Sequence, residues 1–216
     1  DVKAEAEKYI DEEKGVNSAD DAIAGAKDII AEIVSDDANV RKKLRNLFMK
    51  NGEIDTKLVN ADKDEAKTYE MYADYSELVP EIKSHRVLAV NRGEKEGFLK
   101  VKVTFNEDIA KRVTGAGYLK DGGYSTQLVK EAVEDGYDRL IYPSIEREVR
   151  AALTESASEQ AIKMFEVNLK PLLMQPPVKD KVTLGLDPAY RTGCKIAVVD
   201  GTGKVLDKTV VYPTPA

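Results

Sequence analysis

Three short apolar runs near the C-terminus restrict the fold of this chain more than any other feature. They are Val182–Leu186, Ile196–Val199 and Val205–Val211, and the last two flank the hairpin sequence Asp200-Gly-Thr-Gly203. Runs of this length, separated by turn residues, predict a three-stranded antiparallel meander. Three strands need a covering layer to be stable, and the sequence ends soon after the third run. We therefore expect the chain to be a fragment of a longer protein.

Asp187 stands at the end of the first predicted strand. Cleavage of a phosphodiester through two metal ions needs several carboxylates that converge on Mg²⁺, and one carboxylate is not a site. Asp187 is therefore either one ligand of an incomplete metal site or the residue that, with Pro188, opens a turn. The spacing alone leaves both interpretations open.

Four separated motifs resemble, in order, segments of the bacterial Tex family of transcription accessory proteins. The motifs are Pro80-Glu-Ile-Lys-Ser-His-Arg-Val-Leu-Ala-Val-Asn-Arg-Gly-Glu-Lys-Glu-Gly97, Tyr142-Pro-Ser-Ile-Glu-Arg-Glu-Val-Arg150, Leu172-Leu-Met-Gln-Pro-Pro177 and Leu184-Gly-Leu-Asp-Pro-Ala-Tyr-Arg-Thr-Gly-Cys-Lys-Ile-Ala-Val-Val-Asp-Gly-Thr-Gly-Lys-Val-Leu206. The first three are similar to the helical segments of that family, and the fourth to the start of its YqgF-type RNase H-like domain. Ala189 departs from the family pattern, which has glycine in the Asp-Pro-Gly turn.

The fold class expected is mainly α, with a multi-helix scaffold and a short strand, followed by a truncated antiparallel β meander. The resemblance implies that this meander is the start of an RNase H-like α/β domain. The predicted regions are 1–112, helical with one short strand; 113–124, a glycine-rich linker; 125–178, helical; and 179–216, the start of the RNase H-like domain.

Capping and turn residues predict the elements of the first half. Ser18 is expected to cap one helix, and Asp36 or Asp37 to open the next, which ends at Asn51-Gly52. Another helix is expected over Asp62–Tyr75, with tyrosines that pack in a core and do not stack on bases.

Similar signals predict the second half. Ser84 is a good N-cap for a helix that ends near Gly97, and a strand follows over Phe98–Phe105. The later helices are predicted at Thr126–Arg139, Ser144–Thr154 and Ser156–Met174.

Basic residues give the candidates for nucleic-acid contact. The net charge of −6 does not favour strong binding of nucleic acid by the chain as a whole. The candidate binding residues are Arg41, Lys42, Lys43, Arg45 and Arg191, and a second basic group is Lys95, Lys100 and Lys102. The alternative for each cluster is a solvated face balanced by nearby acids.

Several features bear on location and cofactors. The single cysteine, Cys194, suits a reducing compartment, no apolar run is long enough to span a bilayer, and the first residues do not resemble a signal peptide. A cytoplasmic location without a membrane partner is expected. With His85 as the only histidine, no histidine-rich zinc site is expected, and no cofactor, except Mg²⁺ if Asp187 belongs to a nuclease.

The resemblance implies a nucleic-acid-associated scaffold within a transcription accessory protein. This piece would not be a complete enzyme, and RNA or DNA would bind mainly through parts of the longer protein outside it, with the transcription machinery as a further partner. One alternative is a metal-dependent RNase H-like nuclease or resolvase that uses Asp187, with its other carboxylates beyond Ala216. The other is a helical module for protein–protein interaction.

Overall fold

A computed structural model describes residues 2–120, 122–176 and 178–212 of the chain. The chain divides into two compact units, residues 1–164 and 165–216. The helices are α1 (Val2–Ala6), α2 (Ala19–Asp36), α3 (Ala38–Asn51), α4 (Ser84–Lys95), α5 (Glu107–Gly115), α6 (Thr126–Gly136) and α7 (Tyr142–Leu173). The strands are β1 (Glu53–Leu58), β2 (Asp74–Leu78), β3 (Leu99–Thr104), β4 (Thr183–Asp187), β5 (Cys194–Val199) and β6 (Val205–Val211).

Side-chain caps start α2 and α3 where the sequence predicts them. The Ser18 hydroxyl accepts a hydrogen bond from the Asp21 N–H at 3.1 Å. The Asp37 carboxylate accepts bonds from the N–H groups of Asn39 and Val40, at 2.8 and 3.2 Å. Each cap satisfies N–H groups that the first turn of a helix leaves unpaired.

A three-stranded antiparallel sheet in the order β2-β1-β3 occupies the middle of the first unit. The sequence predicts one short strand in this region, and the structure has three. The predicted helix over Asp62–Tyr75 is wrong: a 3₁₀ helix spans Asp64–Tyr72, and Tyr75 lies in β2 opposite Thr56. Pairing with β1 overrides the local helical pattern, because each ladder position satisfies backbone groups that would otherwise need other partners.

The first half of α7 packs on this sheet and covers its β3 edge at Val103. Ile145 and Val149 are fully buried in the core of the unit. The Val103 N–H on β3 donates to the Glu146 carboxylate at 2.9 Å, and the Tyr142 hydroxyl donates to the Val103 carbonyl at 3.1 Å. Both backbone groups of this edge residue are thus satisfied by the helix, so this position cannot pair with another strand.

The helices after α5 differ from the prediction. The predicted break before Ser156 is absent, because α7 continues through a segment rich in Ala and Glu, which favour helix. A π turn, Tyr137–Ile141, replaces the predicted end of the preceding helix. Pro143 has no N–H to donate to the carbonyl four residues earlier, and the wider i→i+5 turn joins α6 to α7.

The start of α4 also differs from the prediction. Ser84 is the first helical residue and does not cap the helix, since Lys83 occupies the N-cap position. The Ser84 hydroxyl donates to the Gln160 side chain at 2.6 Å. The helix then stops before Gly97, whose φ of +79° fits glycine.

The second unit contains the predicted meander, with β4, β5 and β6 paired antiparallel in that order. Asp200 fixes the β5–β6 turn: its carboxylate accepts bonds from the N–H groups of Thr202 and Lys204, at 2.9 and 3.0 Å. The mainly α fold class with a C-terminal antiparallel meander is confirmed. Parts of all four predicted regions, residues 1, 121, 177 and 213–216, lie outside the described residues. Across the described ranges, no helix is long and apolar enough to cross a membrane.

Gly93 lies inside α4 because two core side chains pack directly against it. A Cβ at this position would lie 2.6 Å from Leu99 Cδ1 and 2.8 Å from Tyr69 Cδ1. Both of those residues are almost fully buried. The glycine costs helix propensity but lets α4 approach the sheet and the 3₁₀ helix closely.

We expect Gly93→Ala to lower the free energy of unfolding by about 1–3 kcal/mol through overpacking. Gly25→Ala in α2 is the matched control, because no atom lies within 4 Å of its Cβ position. That control should raise the free energy by about 0.5–1 kcal/mol through helix propensity. Urea unfolding of both variants measures the difference, and a Gly93→Ala protein as stable as the parent would contradict the packing argument.

Candidate nucleic-acid interface

The two arginines of the basic cluster on α3 are bound to α7. Arg41 donates from Nη2 to Glu148 Oε1 and to the Ser144 hydroxyl, both at 2.6 Å. Arg45 donates from Nε to Glu148 Oε2 at 2.6 Å and forms a second contact to the same carboxylate through Nη2. A single glutamate that the sequence analysis did not single out therefore pairs with both arginines.

Electrostatics keep this glutamate ionised. Partial burial raises the pKa of the Glu148 carboxyl, but the hydrogen bonds and charges of Arg45 and Arg41 outweigh that effect and lower it. Hydrogen bonds between charged groups are stronger than neutral ones, and Arg45 places two of its nitrogens on the same oxygen, Glu148 Oε2. Arg41 and Arg45 consequently tie α3 to α7, and they share the single negative charge of Glu148.

The lysines of the same cluster face solvent. Lys42 and Lys43 are exposed on α3, and among the described residues neither takes part in a salt bridge. Their side chains project away from the buried Leu44 and Phe48, as the helical period requires. The structure thus divides the predicted cluster into two arginines that pack and two lysines that remain available.

The two candidates in the second unit lie around the β4–β5 turn. Asp187 is exposed at the end of β4, opposite Lys195 on β5, and Arg191 is exposed in the turn itself. Among residues 2–120, 122–176 and 178–212, no group of three or more His, Cys, Asp or Glu side chains could hold a metal ion. Asp187 therefore has no convergent set of carboxylates among these residues.

The outward face of the first sheet carries a further basic group. Lys100 and Lys102 lie on β3, and the register places Lys57 of β1 opposite Lys100 and Asp55 opposite Lys102. Sequence reasoning found the β3 lysines but missed Lys57, because that neighbour follows from strand pairing. Alternating Lys and Val in β3 was the signal that these side chains share one face.

The comparisons with known proteins decide the family. Residues 1–165 match the family model described as Tex central region-like, and residues 181–216 match the Tex protein YqgF-like domain. The chain belongs to the Tex family. The resemblance read from the four motifs is thereby confirmed.

Individual relatives agree with this assignment. The Bacillus subtilis protein YdcI is 49% identical over 214 residues, covering 98% of this chain and 30% of that protein. The transcriptional accessory protein Tex of Neisseria gonorrhoeae is 35% identical over 98% of this chain and 28% of its own length. The human S1 RNA-binding domain-containing protein 1 is 31% identical over 92% of this chain and 21% of its own length. The chain thus spans less than a third of each of these relatives.

The Glu148 carboxylate should make stability depend on pH. Because its pKa is lowered in the folded state, its contribution is present above the ordinary value of 4.5 and is lost as the pH falls through the lowered value. We expect Glu148→Gln to cost about 1 kcal/mol near neutral pH and to flatten the loss of stability below pH 4.5.

Urea unfolding at several pH values checks this prediction. Glu155→Gln, at an exposed position on the same helix, is the matched control and should leave the pH dependence unchanged. An acid transition in Glu148→Gln that equals the parent's would show that the arginine pair does not stabilise the fold.

Proposed function

We propose that this chain is the central part of a longer Tex-family transcription accessory protein, where it serves as a nucleic-acid-associated scaffold. The names of two relatives, a transcriptional accessory protein and an S1 RNA-binding domain-containing protein, support the association with transcription and RNA. The small share of each relative that the chain covers supports its place within a longer protein. On this proposal the protein acts in the cytoplasm, with the transcription machinery as a further partner.

The observation that carries the scaffold role is the pairing of Arg41 and Arg45 with Glu148. Arginine is well suited to bidentate contacts with phosphate, yet both arginines are committed to holding α3 against α7. The chain keeps two exposed lysines, Lys42 and Lys43, for contacts on that helix. With a net charge of −6, it should contact nucleic acid weakly, while other parts of the longer protein bind it mainly.

Titration of labelled duplex DNA and single-stranded RNA tests this proposal. We expect the full-length protein to bind much more tightly than residues 1–216. If Lys42 and Lys43 are the phosphate contacts, the affinity of the chain for duplex DNA should fall about tenfold between 50 and 200 mM salt, and Lys42→Ala/Lys43→Ala should remove that dependence. Tight binding by residues 1–216 that is insensitive to salt would contradict the scaffold role.

A metal-dependent nuclease is the second candidate, because Asp187 is exposed at a strand end, where a metal ligand would be accessible. In that case Asp187 would supply one carboxylate to hold Mg²⁺, and the bound ion would polarise the phosphodiester for attack by water. On the scaffold proposal, Asp187 binds no metal ion and only ends β4 at the turn.

Incubation of the full-length protein with RNA and DNA, with and without Mg²⁺, distinguishes the two candidates. The scaffold proposal predicts no Mg²⁺-dependent cleavage, and binding unchanged by Asp187→Asn. Asp207→Asn, on the exposed strand β6, is the matched control. Cleavage that is lost in Asp187→Asn but retained in Asp207→Asn would assign the function to a nuclease site.

A further inference from the structure

An apolar groove runs between the N-terminal segment and the first half of α2. It has a volume of about 490 Å³ and an almost entirely apolar lining, whose described residues include two acids, Glu5 and Asp21. The apolar residues that line it include Val2, Ala6, Tyr9, Val16, Ala22 and Ile29. A groove of this composition on a surface marks a binding site more often than chance exposure does.

Large apolar side chains at the groove are highly exposed to solvent. Ile29 is 59% exposed and Tyr9 is 68% exposed, whereas Ala31 and Val34 of the same helix are fully buried. Helix α2 therefore has two apolar faces, one in the core and one open. The position of a Cβ on Gly25, in the groove lining, has no atom within 4 Å, so the space above the helix is open to a closely packed partner.

The charge around the groove indicates which partner it fits. Residues 1–36 carry eleven acidic and four basic side chains, a net charge of −7, whereas the whole chain carries −6. Residues 37–216 therefore carry a net charge of +1, so the acidic excess of the protein lies in the segment that forms this groove, where Glu5 and Asp21 are part of the lining. Nucleic acid and anionic membranes would be repelled by such a surface, whereas a cationic protein segment would be attracted to it.

We propose that this groove binds a cationic amphipathic helix of a separate partner protein. Apolar side chains at helical spacing would enter between Tyr9 and Ile29, where they remove apolar surface from water. Lysine or arginine side chains on the flanks of that helix would lie near Glu5 and Asp21 and give specificity and a faster association rate. The site is distinct from the lysines of α3, so its occupation does not depend on nucleic-acid binding.

A labelled synthetic peptide, with leucine at helical spacing on one face and lysine on the other, tests the proposal by fluorescence anisotropy. We expect residues 1–216 to bind it with an affinity that falls as salt rises. Ile29→Lys should weaken binding about tenfold or more, because it removes an apolar contact and adds a positive charge that repels the lysines of the peptide. Met71→Lys, at a residue that is 74% exposed outside the groove, is the matched control and should leave the affinity unchanged.

Three further measurements give the proposal definite ways to fail. Equal affinity for a peptide with glutamate in place of lysine, or equal affinity of the Ile29→Lys protein, would overturn it. Loss of peptide binding in the full-length protein would mean that the rest of that polypeptide covers the groove. A mass that rises with protein concentration in the parent, but not in Ile29→Lys, would assign the groove to a second copy of the chain. Thermal unfolding of both variants verifies that they fold.

Discussion

The first unit depends on the first half of α7, which supplies polar partners to three other elements while its apolar face fills the core. Glu146 accepts the Val103 N–H at the edge of the sheet, and Glu148 pairs with two arginines of α3. Arg150 pairs with Glu94 of α4. A hydrogen bond that satisfies the backbone N–H of a buried residue such as Val103 is expensive to lose, since the group is then left without a partner. Loss of this half-helix would therefore leave the Val103 N–H without its partner and remove ion pairs from both α3 and α4.

This dependence explains why the most basic segment of the sequence is a poor guide to nucleic-acid binding. A cluster of five residues with four cations looks like a phosphate site when only the sequence is read. Glu148, which binds both arginines of this cluster, lies more than a hundred residues away in the sequence. The tertiary structure brings it close to the cluster, because α7 lies beside α3. The arginine charges that could bind phosphate instead position α7 against the rest of the unit. Of this cluster, Lys42 and Lys43, which point away from α7, remain exposed for contacts with nucleic acid.

The helix caps and the hairpin turn could be predicted from the sequence because they depend on residues close to one another in the chain. Ser18 and Asp37 cap helices through bonds that span two or three residues, and Asp200 closes its hairpin through bonds to residues two and four positions later. These features need no information from the rest of the chain. In contrast, Tyr75 belongs to β2 because β1 pairs with it, and the run through Ser156 stays helical without a break. Strand pairing determines the structure around Tyr75, and helix propensity over many residues determines the structure around Ser156. Capping signals alone could not predict either one.

The aromatic side chains limit what kind of nucleic-acid contact the chain can make. Stacking of bases requires an exposed ring, and a nearby cation strengthens the binding, but Tyr69 and Tyr72 are buried in the core of the first unit. The lysines of α3 offer charge without a ring, which favours contacts to phosphate and little discrimination between sequences. Tyr190 differs, because its ring is 93% exposed and Arg191 follows it directly in the β4–β5 turn. That turn, unlike the lysines of α3, therefore offers an exposed ring beside a cation, the combination that suits stacking on an unpaired base.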